Sequence, residues 1–345
     1  MLRDVADAGR DGSRLVDSPK TDHPLRAAPE PAAARVASIF SPVRFDRPAT
    51  PVLHAVARAD SVIHDADATL RDYLHALRPQ HWLKNLLVFA ALLATHRFAE
   101  PALLARTFVE FVAFCCFASS GYLVNDLCDL QADREHPQKR LRPFASGRLP
   151  LAYALTAAPA LAVLGSVLAG LLSALSLGVV LLYFALTLGY SFTFKKVVLL
   201  DVMVLASLHT LRIVAGAAAI SSGQSLWLVT FSMFLFISLA YIKRYAELTI
   251  MRATVGDQAT ARGYQLADAE LLASKGTASG YVAVLVLALY IASVTPSVEY
   301  SRHQLIWLVC PLLLYWVGYL WLIAHRGKMH HDPVVMHFQI GRAHV

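Results

Sequence analysis

Ser119 to Gly147 reads SSGYLVNDLCDLQADREHPQKRLRPFASG. An apolar run ends here in Asn125, Asp126, Asp129 and Asp133, and four cations follow at once: Arg134, Lys139, Arg140 and Arg142. The aspartates are spaced i, i+3, i+7, which predicts that they share one face of a helix, with Asn125 at its edge. Three carboxylates on one face repel one another unless positive charge sits among them. Oxygen-rich sites of this kind suit Mg2+, which takes one or two carboxylates, several waters and substrate phosphates. The basic run supplies direct phosphate contacts, arginine being favoured for bidentate ones. Metal plus cations at a membrane mouth describes a diphosphate site, with a lipid among the helices as the substrate's partner. Ordinary interfacial charges would not need this order of residues.

The composition supplies the membrane. Of 345 residues, 57% are hydrophobic and 16% charged, against about 25% charged in a soluble domain, and the mean hydropathy is +0.50. The net charge is +7, carried mostly in connections between apolar runs. That suits cytoplasmic loops over anionic lipid. No recognition motif for nucleic acid accompanies it, so nucleic acid is excluded as a partner. Cys115, Cys116, Cys128 and Cys310 lack metal-ligand spacing and read as buried free thiols.

Eight apolar runs follow one another, at about 83–96, 103–124, 152–171, 174–190, 198–219, 226–242, 277–295 and 304–324. Each is long enough, or nearly so, to span about 30 Å as a helix. The connections 125–150, 191–197 and 243–275 carry Lys and Arg, 172–175 and 220–225 carry none, and 296–303 carries only Arg302. This alternation predicts that both chain ends and all the charged loops are cytoplasmic. The fold expected is all-α, a polytopic transmembrane helical bundle. Residues 1–70 read as a disordered or weakly structured cytoplasmic tail, with no signal-peptide core near Met1. Asp65, Asp67 and Thr69 within it match a D-x-D-x-T phosphatase spacing by chance, since no α/β domain follows. Arg212, inside an apolar run, is expensive unless it faces a partner or a cavity, and His209 lies one turn away. Gly165, Gly170 and Gly216 are expected to admit close helix packing.

Asn125–Gly147 also resembles the first aspartate-rich motif, N-D-x-x-D-x-x-x-D, of the UbiA superfamily of intramembrane prenyltransferases. LRPQHWLKNLLVF (Leu77–Phe89), YSFTFKK (Tyr190–Lys196), DVMVLASLHTLRIVAGAAA (Asp201–Ala219) and KRYAEL (Lys243–Leu248) resemble its decaprenyl-phosphate phosphoribosyltransferase-like branch. The likeness defines a transferase domain over 71–339, and the last six residues, IGRAHV (340–345), read as a non-native tail.

The resemblance implies a bundle of nine transmembrane helices in an intact member, about eight of them here. It implies a bacterial inner-membrane protein whose active site faces the cytoplasm. Asn125, Asp126, Asp129 and Asp133 then become the catalytic residues that hold Mg2+ and the donor diphosphate. By the same analogy Lys84, Lys139, Arg140 and Arg142 contact donor phosphates, and Arg212 and Lys196 contact donor or acceptor phosphate. Tyr190, Lys243, Arg244, Tyr245 and Glu247 complete the substrate-binding set. Aromatic prenyltransferases of the superfamily carry a second aspartate-rich motif. The matching place here, LAYIKRYAELTIMRATVGD, keeps Tyr245, Ala246 and Glu247 but lacks the repeated aspartates and holds Lys243 and Arg244. An anionic acceptor suits that change. The expected reaction moves 5-phosphoribosyl from phosphoribosyl diphosphate to a polyprenyl phosphate with Mg2+ as cofactor, releasing pyrophosphate. One alternative is transfer of a polyprenyl chain from its diphosphate to an aromatic or other small acceptor. The other is a membrane transporter, which would place charges near mid-span in internal repeats.

Overall fold

The computed structural model describes residues 68–135, 139–223, 225–255, 260–261, 263–293 and 303–329. Residues 1–67 of the tail assigned to 1–70, and the six residues 340–345, lie outside them. Among the described residues the fold is all-α apart from an antiparallel hairpin of two-residue strands, Thr260–Ala261 with Tyr264–Gln265. Its helices are α1 Leu70–Leu77, α2 Ala90–Ala94, α3 Pro101–Cys128, α4 Leu130–Glu135, α5 Leu151–Leu172, α6 Ala174–Phe192, α7 Leu200–Ala219, α8 Leu226–Val255, α9 Ala269–Ser293 and α10 Val309–His325. Among the described residues, seven helices are long and apolar enough to cross a membrane: α3, α5, α6, α7, α8, α9 with its leading turn, and α10 with its leading turn. Leu171, Leu226 and Leu312 stay 76%, 78% and 66% exposed, which water would penalise and lipid does not.

The first apolar run takes another form. Pro79–Phe89 is a 3-10 helix and only Ala90–Ala94 is α-helical. The 3-10 rise of about 2.0 Å per residue stretches these few residues to a contour of roughly 30 Å, as much as a longer α-helix. Runs of this length are uncommon in 3-10 form because the hydrogen bonds are poorer, so the segment depends on its neighbours. It packs against α3 and α7, and a Cβ on Gly216 of α7 would stand 1.8 Å from the Val88 carbonyl oxygen. Only glycine admits that approach. Gly165 likewise has no room beside Phe117, but a Cβ on Gly170 meets nothing closer than 3.8 Å, so Gly170 has no packing role. Gly276 and Gly280 of α9, one turn apart, are the unforeseen pair. A Cβ there would stand 2.2 Å from Trp321 and 2.6 Å from Val317.

Helix α7 is the most buried of the seven spans. Val202, Ala206 and Ile213 pack towards α8 and α10, while Val204, Leu208 and Ala215 pack towards α3 and α6. Cys115 and Cys116 are buried free thiols as expected, whereas Cys128 is exposed at the end of α3. Thr69 is the N-cap residue of α1, donating its hydroxyl to Asp72 at 2.6 Å. That bond, then the Arg148 guanidinium at 2.8 Å, holds the Asp72 carboxyl below the usual carboxylate range.

Candidate active site

At the end of α3 the helix closes at Cys128, and Asp129 forms its cap before α4 begins. The carboxylates therefore turn two ways rather than lining one face. Asp126 and Asp133 are both buried, and both accept from one guanidinium nitrogen of Arg142, at 3.4 and 2.5 Å. Asp129 is partly exposed; Lys195 stands 3.4 Å from one of its oxygens and the Asn125 amide donates to the other at 3.1 Å. Asp126 takes a second cation: Arg78 donates to it at 2.5 Å and stacks its guanidinium 5.0 Å over the Tyr122 ring. Arg78 sits at φ 54°, in the left-handed region. Side chains with a Cβ pay for that region with roughly 1–2 kcal/mol, and the bonds to Asp126 and Tyr122 hold the residue there.

Behind this cluster a cavity of about 240 Å³ opens between α3, α6, α7 and the 3-10 segment. Arg78, Lys84, Arg212 and Lys243 line it, together with Asn125 and Tyr190, and no Asp or Glu does. Arg212 is its deepest cation, 6% exposed. It donates to the Asn85 side chain at 2.8 Å, the Leu208 carbonyl at 2.5 Å and the Tyr183 hydroxyl at 2.9 Å, and lies 4.8 Å from the Tyr183 ring centre. All of these partners are neutral. A buried cation held only by neutral groups keeps an uncompensated charge facing the cavity, which favours an incoming anion. His209, also on the cavity wall, bonds its own helix at the Leu205 carbonyl, 2.8 Å away, and packs on Phe236.

Arg244 presents the opposite case. It is 1% exposed and donates to Asp201 at 2.5 Å, to Glu247, and to the Tyr190 hydroxyl at 2.9 Å. Tyr264 of the hairpin donates to the other Asp201 oxygen at 2.6 Å and accepts from the Leu199 amide at 2.8 Å. Burial, then the bond to Asp201, raises the Tyr264 phenol well above its usual range. These groups tie the hairpin and α7 to α8, and a buried pair of this kind loses about 3–5 kcal/mol when one partner is removed.

Asn125, Asp126, Asp133, Arg142, Lys84, Arg212, Tyr190 and Lys243 thus meet at the cluster or the cavity. Lys139 and Arg140 lie on an exposed turn, and Lys196 is exposed beside the Lys195 that reaches Asp129. Arg244 and Glu247 pair with each other, one step back from the cavity. Tyr245 turns away, bonding His325 at 3.0 Å and packing on Trp321. Sequence reasoning missed Arg78, Lys195, Tyr183, Asn85 and Asp201. The one local signal was Arg78 in LRPQHW, a cation before a proline at the edge of an apolar run.

Among the described residues, no group of three or more His, Cys, Asp and Glu converges as a metal cage. Asp126 and Asp133 share one cation and offer only oxygen, which fits the way Mg2+ is held by one or two carboxylates, water and phosphate.

The family model described as UbiA prenyltransferase family matches residues 86–340. The chain is 36% identical to the nodulation protein NoeC of Azorhizobium caulinodans over 262 residues, 76% of this chain and 85% of that protein. It is 37% identical to the uncharacterized protein y4nM of Sinorhizobium fredii, covering 77% of this chain but only about half (52%) of that one. It is 40% identical to the decaprenyl-phosphate phosphoribosyltransferase of Mycolicibacterium smegmatis over 187 residues, 52% of this chain and 58% of that protein. Among solved structures, a UbiA homolog from Archaeoglobus fulgidus bound to DMAPP and Mg2+ superposes with a TM-score of 0.60 at 17% identity, over 78% of this chain and 94% of that one. That likeness carries the fold.

Proposed function

Because the chain belongs to the UbiA prenyltransferase family, we propose that this integral-membrane transferase moves 5-phosphoribosyl from phosphoribosyl diphosphate to a polyprenyl phosphate, with its site on the cytoplasmic face of a bacterial inner membrane. The observation that carries this reading is the cavity lined by four cations and no carboxylate, with Arg212 held by neutral partners alone. A lipid phosphate brings a matching anion to that charge. The name of the relative in Mycolicibacterium smegmatis supports the same donor and acceptor.

In this mechanism the bond from the sugar C1 to the diphosphate oxygen breaks, and one from C1 to an oxygen of the lipid phosphate forms. Asp126 and Asp133 would hold Mg2+, which supplies charge neutralisation to the leaving pyrophosphate. Arg142 and Arg78, paired with these carboxylates, turn their guanidiniums to the donor's phosphate oxygens. Arg212, Lys84 and Lys243 draw the lipid phosphate into the cavity and aim it at C1. The attacking oxygen is already ionised, so no side chain serves as a general base. Protein in detergent with Mg2+, labelled phosphoribosyl diphosphate and decaprenyl phosphate should carry label into the lipid phase. Label carried instead only from polyprenyl diphosphate to 4-hydroxybenzoate would reverse the assignment.

A further inference from the structure

Arg78 lines two cavities at once. On its other side lies a second one, of about 210 Å³, walled by Asp126, Arg142, His75, Gln80, His81 and Pro143. The two spaces differ in kind. The first runs into the bundle beside Ala118, Gly121, Leu205 and Leu208. The second is polar on nearly every wall, with Pro143 its sole apolar side chain. Its extra groups flank the point where Arg78 reverses the backbone at φ 54°: His75 in the last turn of α1, Gln80 and His81 in the first turn of the 3-10 segment. His75 and Gln80 are exposed, and His81 packs 5.0 Å from the Tyr122 ring that also carries Arg78.

A prenyl diphosphate is polar only at its phosphates, and its hydrocarbon would gain nothing from imidazole and amide walls. A hydroxylated sugar phosphate would: Gln80 offers a donor and an acceptor, and each histidine one or two donors. We propose that this second cavity is the subsite for the sugar body of a hydrophilic donor, with Gln80, His75 and His81 reading its hydroxyl groups and its second phosphate. The assignment rests on the phosphoribosyl reading above and adds the residues that separate a phosphorylated-sugar donor from a prenyl one. Arg78 joins the two spaces, at the point where donor and lipid phosphate meet.

The test uses the full chain in detergent with decaprenyl phosphate and Mg2+, and two competing probes, pyrophosphate and ribose 5-phosphate. Gln80→Leu and His75→Leu should each raise KM for phosphoribosyl diphosphate, and the inhibition constant of ribose 5-phosphate, by ~10-fold, equivalent to about 1.4 kcal/mol, the worth of one hydrogen bond. KM for the lipid and inhibition by pyrophosphate should stay as in the wild type. Both replaced side chains are exposed, so thermal midpoints should hold; if one variant fails to fold, the other decides. Unchanged ribose 5-phosphate inhibition in a folded variant would overturn the subsite. So would an equal rise for both probes, which would mean that the cavity holds only the diphosphate. Failure of the phosphoribosyl reading itself would show separately, as a wild type that transfers no label from phosphoribosyl diphosphate.

Discussion

Helix α3 carries charge at both ends, and the two ends use it differently. Near its start, Arg106 donates to the Leu172 carbonyl at 3.0 Å and the Ala219 carbonyl at 2.6 Å, the last residues of α5 and α7. One turn on, Glu110, fully buried, accepts from Ser176 in the first turn of α6. A cation sits at two helix C-termini and an acid at one N-terminus, each matching the local dipole and the orphan backbone groups there. At the far end, about 30 Å away along the axis, Asp126, Asp129 and Asp133 face Arg78, Arg142 and Lys195, which come from three other segments. Charge that meets helix termini is fixed by the fold. Charge that meets other side chains at the edge of a cavity is exchangeable, since a metal ion or a phosphate can take either partner's place. The first kind is architecture and the second a site, though both read as charged residues in an apolar run.

Substitutions should separate the two ends. The largest effect is expected at Asp126→Asn, which should lower the transfer rate per folded molecule ~10²–10³-fold, as loss of one electrostatic stabiliser of a leaving group does, alongside a loss of stability because Arg78 and Arg142 lose a charged partner. Next is Arg212→Gln, expected to raise KM for the lipid phosphate by ~10–100-fold, the loss of one charged hydrogen-bonding group, with KM for the diphosphate donor little changed. Arg106→Met strands two helix-end carbonyls and should cost about 2–3 kcal/mol in chemical unfolding, with the rate per folded molecule preserved.

Tyr264→Phe tests the third charged region, the Arg244 network, by pH. The Tyr264 phenol is raised in the folded protein, above about 10 in the unfolded chain. Its contribution is therefore fully present below pH ~10 and is lost as pH rises through the folded value. Wild-type stability, measured as a denaturation midpoint, should fall more steeply than the variant's above pH ~10. The smallest effect is expected at Glu110→Gln, where the amide can still accept from Ser176; a shift within about 1 kcal/mol is predicted for the loss of one neutral-range bond difference. A large loss of transfer in Glu110→Gln would move that end of α3 from architecture to site.

Much of this is legible in the sequence alone. The apolar runs identify the spans because a bilayer demands about 20 apolar residues in sequence, and Asp126, Asp133 and Arg142 are close enough along the chain for spacing to pair them. Arg212 stood out because a charge in an apolar run is costly. What spacing cannot reach are partners brought by the fold. Arg78 lies 48 residues from Asp126, and Lys195 lies 66 from Asp129. Nothing local distinguishes Lys195 from Lys196; the 3-10 turn Phe194–Lys196 that carries both decides which faces the aspartate. Arg244 read as a substrate contact because its partner Asp201 lies 43 residues away on α7. The 3-10 form of Pro79–Phe89 was hidden for another reason: Gly216, which admits the Val88 backbone, is on a different helix.

The most direct measurement compares wild type, Asp126→Asn and Arg106→Met for label transfer from phosphoribosyl diphosphate to decaprenyl phosphate, each rate divided by the folded fraction. The expected result is full transfer by wild type and Arg106→Met and ~10²–10³-fold less by Asp126→Asn. Equal rates for wild type and Asp126→Asn would contradict the assignment of the aspartate-bearing end of α3 as the site of transfer.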